Sequence, residues 1–469
     1  MLVREEDHVE TIAAVSTPPG RGGIGIVRLS GPEAVAIARR LVRVQGELEQ
    51  ARARRGQVLD ARGAVLDEAL VTAFYAPHSY TGETLVEIAA HGSPVILEAM
   101  LRGAIHGGVD GYGSALPAAR LAEPGEFTQR AFLAGKIDLT QAEAVHDLVA
   151  AQTLDQARAA AQQLGGALSR RVAPAKGQLL YLIALLEAGM DFASGELDDV
   201  DVVPPEQIAE SVAAVRGPLA ELAGTFRRGQ LLREGAAIAL IGPPNAGKSS
   251  LFNRLLERER AIVTPVAGTT RDTVEESVAL GGVPLRLIDT AGLRDGCAAG
   301  EAGMDEAERM GVARSREALA DADVVLLIHD VTRPWTEAEL ALAETVRERP
   351  HVVVRNKVDL LGAAEGEGIA TSALTGVGLE ELRAAILERL GAAGAVAETG
   401  LLNNVRQQES VSAALRALES AAAANAAGLP HEVMLMDLHA ALRALDSLTG
   451  TTTTEDILGR IFSTFCIGK

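Results

Sequence analysis

Between Gly242 and Ala373 the chain carries five short motifs in fixed order. They are G-P-P-N-A-G-K-S (Gly242 to Ser249), G-T-T-R-D (Gly268 to Asp272), D-T-A-G (Asp289 to Gly292), N-K-V-D (Asn356 to Asp359) and S-A (Ser372, Ala373). The first alone implies only a loop for nucleotide phosphates, in which glycines let backbone N–H groups close on phosphate at a helix start. Its context fits: Ala236 to Ile241 reads as a buried strand, and Leu251 to Leu256 as a helix. Strand-type runs recur at Val283 to Ile288, Val324 to His329 and His351 to Arg355. Such βα alternation commits this stretch to a parallel sheet with helices on its faces. The complete motif set implies a pocket for a guanine nucleotide.

The roles follow from the residue types. The loop residues Asn245, Ala246, Gly247, Lys248, Ser249 and Ser250 surround the phosphates, with Lys248 reaching the β- and γ-phosphates and Ser249 ligating Mg²⁺. Thr270 is the expected second Mg²⁺ ligand, on a switch loop that senses the γ-phosphate. Asp289 faces Mg²⁺ through water and Gly292 donates its N–H to the γ-phosphate, while Thr264, Gly268, Thr269, Thr290 and Ala291 complete the phosphate-side contacts. Asp359 accepts from guanine N1–H and the exocyclic amine, Asn356 meets the other edge, the Lys357 stem covers the ring, and Ser372 and Ala373 close over the base. After D-T-A-G stands Leu293, where Ras-like enzymes place a water-orienting glutamine. A carboxylate, an arginine or a monovalent cation must replace it. Asn245 either ligates such a cation, helped by the carbonyls of Thr264 and Val266, or simply stabilises the loop.

Composition bounds the rest. A chain of 469 residues has room for two to four domains. It lacks a run of eighteen apolar residues and starts acidic at Met1 to Asp7, which argues against a membrane span and a signal peptide. With only Cys297 and Cys466 there is no disulfide framework, and the expected location is the cytoplasm. The net charge of −19 argues against gripping nucleic acid by bulk electrostatics; for an RNA substrate, a partner or a confined basic surface would supply much of the affinity. Five lysines stand against thirty-nine arginines; Lys248 and Lys357 lie in nucleotide motifs, which draws attention to Lys136 and Lys469.

The expected architecture is multidomain. Residues 1–134 read as an α+β domain, with strands at Thr11 to Val15, Gly25 to Leu29, Leu70 to Tyr75 and Leu85 to Ala89. Residues 135–232 read as the first part of a helical domain, 233–394 as an inserted Ras-like α/β domain, and 395–469 as the second helical part. Thr140 to Glu143 reads as a capping box starting a helix to about Leu164. Further helices are expected from Pro174 to Ala188, Pro205 to Leu232 and Thr454 to Phe465, with an acidic turn at Glu196 to Asp201.

The two ends carry P-P-G-R-G-G-I-G-I-V-R (Pro18 to Arg28), Y-T-G-E (Tyr80 to Glu83), H-G-S-P-V (His91 to Val95), P-G-E-F-T-Q-R-A-F-L-A-G-K (Pro124 to Lys136) and L-G-R-I-F-S-T-F-C-I-G-K (Leu458 to Lys469). With these the chain resembles the bacterial tRNA modification GTPases called MnmE or TrmE, along nearly its full length. The resemblance implies an N-terminal domain that dimerises and binds 5,10-methylene-tetrahydrofolate or a related tetrahydrofolate, with contacts at Arg28, Glu87, Lys136 and Lys469. It implies K⁺ held by Asn245, Thr264, Val266 and Thr269, and a water-orienting glutamate at Glu308. The segment Asp295 to Asp305 is longer than the family pattern, which leaves Glu301 and Glu306 open. It further implies a homodimer that joins an FAD-binding protein of the GidA/MnmG family in a heterotetramer or larger complex. That complex would add a carboxymethylaminomethyl or aminomethyl group to C5 of wobble uridine in tRNA.

Three readings stay open on residues alone. Cys466 is a catalytic thiol or has a packing or cofactor-proximal role; His91 is a proton shuttle or a helix-entry or folate-pocket structural histidine; Glu123 and Glu126 read as solvated turn carboxylates. Rival functions are a regulatory or ribosome-assembly GTPase without modification chemistry, and a folate-dependent methyltransferase that the GTPase regulates.

Overall fold

The computed structural model describes residues 10–107, 116–193, 203–243, 245–256, 277–289, 322–361, 366–391, 399–451 and 455–469. Two compact units divide the chain, Met1–His146 with Thr449–Lys469, and Asp147–Leu448.

The first unit is built on seven strands, β1 (Ile12–Val15), β2 (Gly22–Ser30), β3 (Val42–Val44), β4 (Arg54–Leu59), β5 (Val65–Phe74), β6 (Leu85–Gly92) and β7 (Arg120–Leu121). Their order is β3-β4-β5-β6-β2-β1-β7, antiparallel except where β7 runs parallel to β1. Side chains alternate across the pleat, so Val27 and Leu29 are buried on one face while Arg28 between them points to the other. Val86 and Ile88 flank Glu87 in the same way on β6. Helices Ala34–Leu41 and Pro94–Ile105 cover the first face, packing Ile37, Leu41 and Met100 on Val27, Leu29, Val86 and Ile88. Phe127 packs with Ile12, Ala14 and Leu85 on the other.

Two sequence expectations are corrected here. The helix Leu139–Ala150 is capped two residues earlier than Thr140 and Glu143 suggested. Asp138 Oδ1 accepts from Gln141 N at 2.9 Å, and Gln141 Oε1 accepts from Asp138 N at 2.9 Å; Thr140 and Glu143 are buried within the helix. The run to Leu164 is also interrupted, because Thr153 and Gln156 form their own capping box and start the helix Leu154–Leu164.

The second unit contains a helical bundle and a six-stranded sheet. The bundle helices are Ala167–Ala193, Pro205–Ala223, Val405–Ala426 and His431–Thr449. Ile208, Val212, Val215, Leu219 and Leu222 lie three or four apart on one buried stripe. Burying them at roughly 1.5–3 kcal/mol each outweighs the roughly 3 kcal/mol that Pro218 costs inside the helix. The single helix expected from Pro205 to Leu232 is broken at Gly224, and Phe226–Glu234 forms a separate helix. At the break the buried Thr225 hydroxyl donates to Leu222 O at 2.7 Å and accepts from Leu402 N at 3.2 Å. Likewise the helix expected from Pro174 begins at Ala167 and keeps Pro174 inside it.

Strands β8 (Ala236–Ile241), β9 (Ser277–Leu280), β10 (Val283–Asp289), β11 (Val324–Asp330), β12 (His351–Asn356) and β13 (Ile369–Ala370) make the sheet. The order is β13-β12-β11-β8-β10-β9, parallel throughout except for β9 against β10. β8 and β11 are buried along their whole length, as a sheet covered on both faces requires. Helices Lys248–Leu256 and Leu379–Leu390 supply Leu251, Leu382 and Ile386 to one core, while Val346 and Trp335 pack with Ile241 and Leu327 in another. No helix among the described residues is long and apolar enough to cross a membrane.

Candidate functional site

The phosphate-type loop leaves the carboxyl end of β8, where ligands of open parallel sheets bind. Its conformation explains its glycines. Gly242 has φ +151, and a Cβ there would lie 2.3 Å from Ile328 O on β11. Gly247 has φ +87, and its Cβ would lie 2.3 Å from Asn356 Nδ2. Asn245 stands exposed between them in the left-handed region at φ 63, a conformation its short polar side chain tolerates. Lys248 opens the helix Lys248–Leu256 and is 8% exposed; its Nζ donates to Gly242 O at 2.9 Å and Pro243 O at 3.0 Å. A buried ammonium resting on loop carbonyls is a ready donor to an anion placed over the loop. Ser249 and Ser250 lie exposed on the first turn.

Asn356 ends β12, 1% exposed, and joins two loops. Its Nδ2 donates to Ala246 O at 2.9 Å, and its Oδ1 accepts from Ala373 N at 3.2 Å. The base-side motif therefore clamps the phosphate-side loop to the S-A loop, a joining role that the motif reading did not include. Ser372 is buried and its Oγ accepts from Thr375 N at 3.1 Å. Lys357 lies at φ 70 with its Nζ 2.6 Å from Asp330 Oδ2. Burial works to raise the Asp330 carboxyl, but the Lys357 ammonium and the Thr332 hydroxyl and N–H hold it down at about 2. Asp359 sits exposed on the short turn Val358–Leu360, and no partner engages its carboxylate among the described residues. Asp289 closes β10. Thr264, Val266, Gly268, Thr269, Thr270, Thr290, Ala291, Gly292, Glu308, Glu301, Glu306 and Cys297 lie outside the described residues, as does Glu196 to Asp201.

A second cluster lies on the sheet face of the first unit that carries Phe127. Arg28 and Glu87 are register partners on β2 and β6. Arg28 Nη2 and Nε both reach Glu87 Oε1, at 2.8 and 3.0 Å, and the guanidinium lies 5.5 Å from the Phe127 ring centroid. Arg28 Nη1 also donates to Gly468 O at 3.3 Å, and Phe127 N donates to Lys469 O at 3.2 Å. Pro124 and Ile467 add an isolated β-bridge. The C-I-G-K segment is thus seated beside Arg28. Gly468 suits this seat, with φ +95 and a Cβ position only 2.5 Å from Val15 O. Burial, and then the Arg28 charge, lower the Lys469 ammonium below its ordinary range, while Cys466 acts the other way. Lys136 is exposed and its Nζ donates to Pro77 O.

Two family models cover almost all of this chain. The GTP-binding protein TrmE N-terminus model matches residues 11–136, and the MnmE helical domain model matches residues 139–466. A tRNA modification GTPase MnmE from Koribacter versatilis is 50% identical over 98% of this chain and 99% of its own length. Another from Aquifex aeolicus is 42% identical over 98% of this chain and all of its own length. The chain belongs to the MnmE family of tRNA modification GTPases. It is a GTP hydrolase, as that membership and the guanine-nucleotide motifs agree. Among solved structures, the G domain of the T. maritima FeoB iron transporter aligns with 33% of this chain and 98% of its own, at 28% identity and TM-score 0.24.

The terminal motifs that mark an MnmE-family chain divide, in this structure, between the Arg28 cluster and its scaffold. Glu126 is the clearest correction: it is not a solvated turn carboxylate but 7% exposed. Its Oε1 accepts from Arg120 Nη2 at 2.6 Å and Arg130 Nη2 at 2.8 Å. Arg130 Nη1 continues to Glu83 Oε2 at 3.0 Å, which in turn accepts from Ser30 Oγ at 2.8 Å. Burial works to raise the Glu126 carboxyl, yet Arg120, the Glu123 N–H and Arg130 together hold it below its ordinary range. Tyr80 bonds Thr128 at 3.0 Å, so Y-T-G-E also serves this scaffold. Glu123 is exposed, as read. Cys466 is a free, exposed thiol. His91 stands two residues before Ser93, the N-cap of the helix Pro94–Ile105, with its carbonyl accepting from Ser93 N at 2.7 Å, and it is not enclosed. Its side chain is 72% exposed, and its Nδ1 lies 2.7 Å from Asp67 Oδ1. Sequence reasoning missed Phe127 and Asp330. An aromatic inside P-G-E-F-T-Q-R and an acid closing the apolar run V-V-L-L-I-H-D were the available signals.

Proposed function

We propose that this GTP hydrolase modifies tRNA with an FAD-dependent partner of the GidA/MnmG family, adding a carboxymethylaminomethyl or aminomethyl group at C5 of wobble uridine. Near-complete coverage of tRNA modification GTPases, with both ends matched, is the observation that carries this reading. In it, Lys248, Ser249 and Thr270 serve the phosphates and Mg²⁺, and Asp359, Asn356, Lys357, Ser372 and Ala373 serve guanine. Asn245, with Thr264, Val266 and Thr269, holds K⁺, and Glu308 orients water. The donor types fit: a serine hydroxyl is a hard oxygen ligand for Mg²⁺, and an exposed amide oxygen suits K⁺.

The Arg28 cluster is read as the tetrahydrofolate site. Two cations and a carboxylate beside a phenyl ring fit a ligand with an amidine-type edge and a polyanionic tail. Only Oε1 of Glu87 is taken by Arg28 among the described residues, which leaves Oε2 to accept from such an edge. Arg28, Lys469 and Lys136 would hold the anionic end. A methylene-tetrahydrofolate supplies a one-carbon unit when bound. In this reading the protein is a cytoplasmic homodimer, and GTP hydrolysis drives conformational change rather than the chemistry on the base.

The deciding experiment is GTP hydrolysis in potassium against sodium buffer, with Asn245→Ala beside the wild type. Potassium stimulation that disappears in the variant supports the reading. Equal rates in both salts would sink the cation mechanism.

A further inference from the structure

β11 and β12 end in register, with Asp330 beside Asn356. The next residue, Lys357, adopts φ 70, and its Nζ meets Asp330 Oδ2 at 2.6 Å. The other oxygen, Asp330 Oδ1, accepts from Thr332 Oγ1 at 2.7 Å and Thr332 N at 3.1 Å. The carboxylate is therefore held on both oxygens and is only 8% exposed, against 30% for the lysine side chain. One residue back, His329 stacks on Trp335 at 4.4 Å with an interplanar angle of 11°, and its Nδ1 lies 3.0 Å from Glu339 Oε1. Glu339, 1% exposed, also caps the following helix through Thr336. Buried polar groups are thus concentrated where one strand ends, and each is spent on holding that end in place.

A lysine stem has four rotatable bonds and loses substantial entropy when fixed. If Lys357 is to form one wall of a base pocket, something must fix it before the base arrives. We propose that Asp330 is a positioning residue for guanine recognition, anchoring the Lys357 ammonium so that its aliphatic stem is preset against the base. This rests on the guanine-pocket reading above. It has a signature that phosphate-side residues lack. GTP and GDP share the base, so losing the anchor weakens both alike, whereas losing a phosphate contact separates them.

The test uses Asp330→Asn in the full-length protein, which keeps the shape of the side chain and removes its charge. GDP and a non-hydrolysable GTP analogue are titrated, and steady-state hydrolysis is measured. Both dissociation constants should rise about ten-fold or more, the KM for GTP should rise with them, and kcat should hold. On a Lys357→Met background the Asp330→Asn change should add less than about two-fold. Unchanged affinities, a fall in kcat alone, or a full additive loss in the double variant would overturn the proposal. A variant that melts earlier yet binds both nucleotides normally overturns it too. If the wild type itself binds neither nucleotide, the guanine pocket is wrong and the anchor falls with it. If the wild type binds and the variant binds equally, only the anchor falls.

Discussion

One of the two tightest approaches in the nucleotide loop is that of Gly247 to Asn356, and Gly247→Ala puts a value on it. The position has φ +87, where an L-residue costs about 1–2 kcal/mol. The new Cβ would lie 2.3 Å from Asn356 Nδ2. Asn356 is 1% exposed, so it has no solvent to swing into. Its bonds to Ala246 O and Ala373 N must lengthen, and each carries about 0.5–1.5 kcal/mol. The sum is about 2–5 kcal/mol against the nucleotide-ready loop, or roughly 30- to 4000-fold weaker GDP binding. Gly391→Ala supplies the control: its φ is +70 but nothing lies within 4 Å, so it should lose about 1–2 kcal/mol of stability and leave GDP binding alone. Isothermal titration with GDP, paired with thermal melts, reads both. Gly247→Ala binding GDP within about three-fold of wild type would refute the reasoning, because the Asn356 clamp would then be compliant.

Two further expectations concern the first unit. Glu126→Gln leaves Arg120 and Arg130 facing a neutral amide, and should cost about 2–4 kcal/mol, discounted because Arg120 is 41% exposed. Folding holds the Glu126 carboxyl below its ordinary range, so its contribution is complete above about pH 5 and is lost as pH falls through the folded value. Melts between pH 3 and 7 should therefore show a shallower acid slope in Glu126→Gln, and parallel slopes would count against the network. Gly468→Ala forces φ +95 on alanine and a Cβ 2.5 Å from Val15 O, which displaces the carbonyl that Arg28 holds. Tetrahydrofolate binding should weaken at least ten-fold, about the worth of one charged hydrogen bond, while GDP binding stays at the wild-type value. Equal loss of both ligands would point to general unfolding instead.

How far the fold was legible depended on periodicity. β8 and β11 were visible because unbroken apolar runs between turn residues have few other uses. β3, β4 and β7 were not, since they are short and carry Arg43, Arg54, Arg55 and Arg120. The break at Gly224 was hidden because what decides it, the bond between Thr225 Oγ1 and Leu402 N, spans the inserted sheet. The site shows the same division. Lys248 and Asn356 could be named from local motifs, since backbone geometry around a phosphate loop is a local property. Glu126, at the start of a helix, was misread because its partner Arg120 lies on β7 and its burial comes from tertiary packing. Asp330 went unnoticed because an acid at a strand end has no meaning until the register brings Asn356 and Lys357 beside it.

The seating of Thr449–Lys469 with residues 10–146 has a consequence for biosynthesis. The whole of Asp147–Leu448 separates the two parts of this one body along the chain. At ribosomal speeds, the roughly 300 intervening residues take about 15–60 s to synthesise. Through that interval Leu139, Ala142 and Phe132 wait for Leu458, Phe462 and Phe465. The nascent sheet must therefore survive with an apolar surface uncovered for far longer than a small domain needs to fold. Chaperone engagement during translation should concentrate on this half-finished body and end when the closing segment clears the exit tunnel.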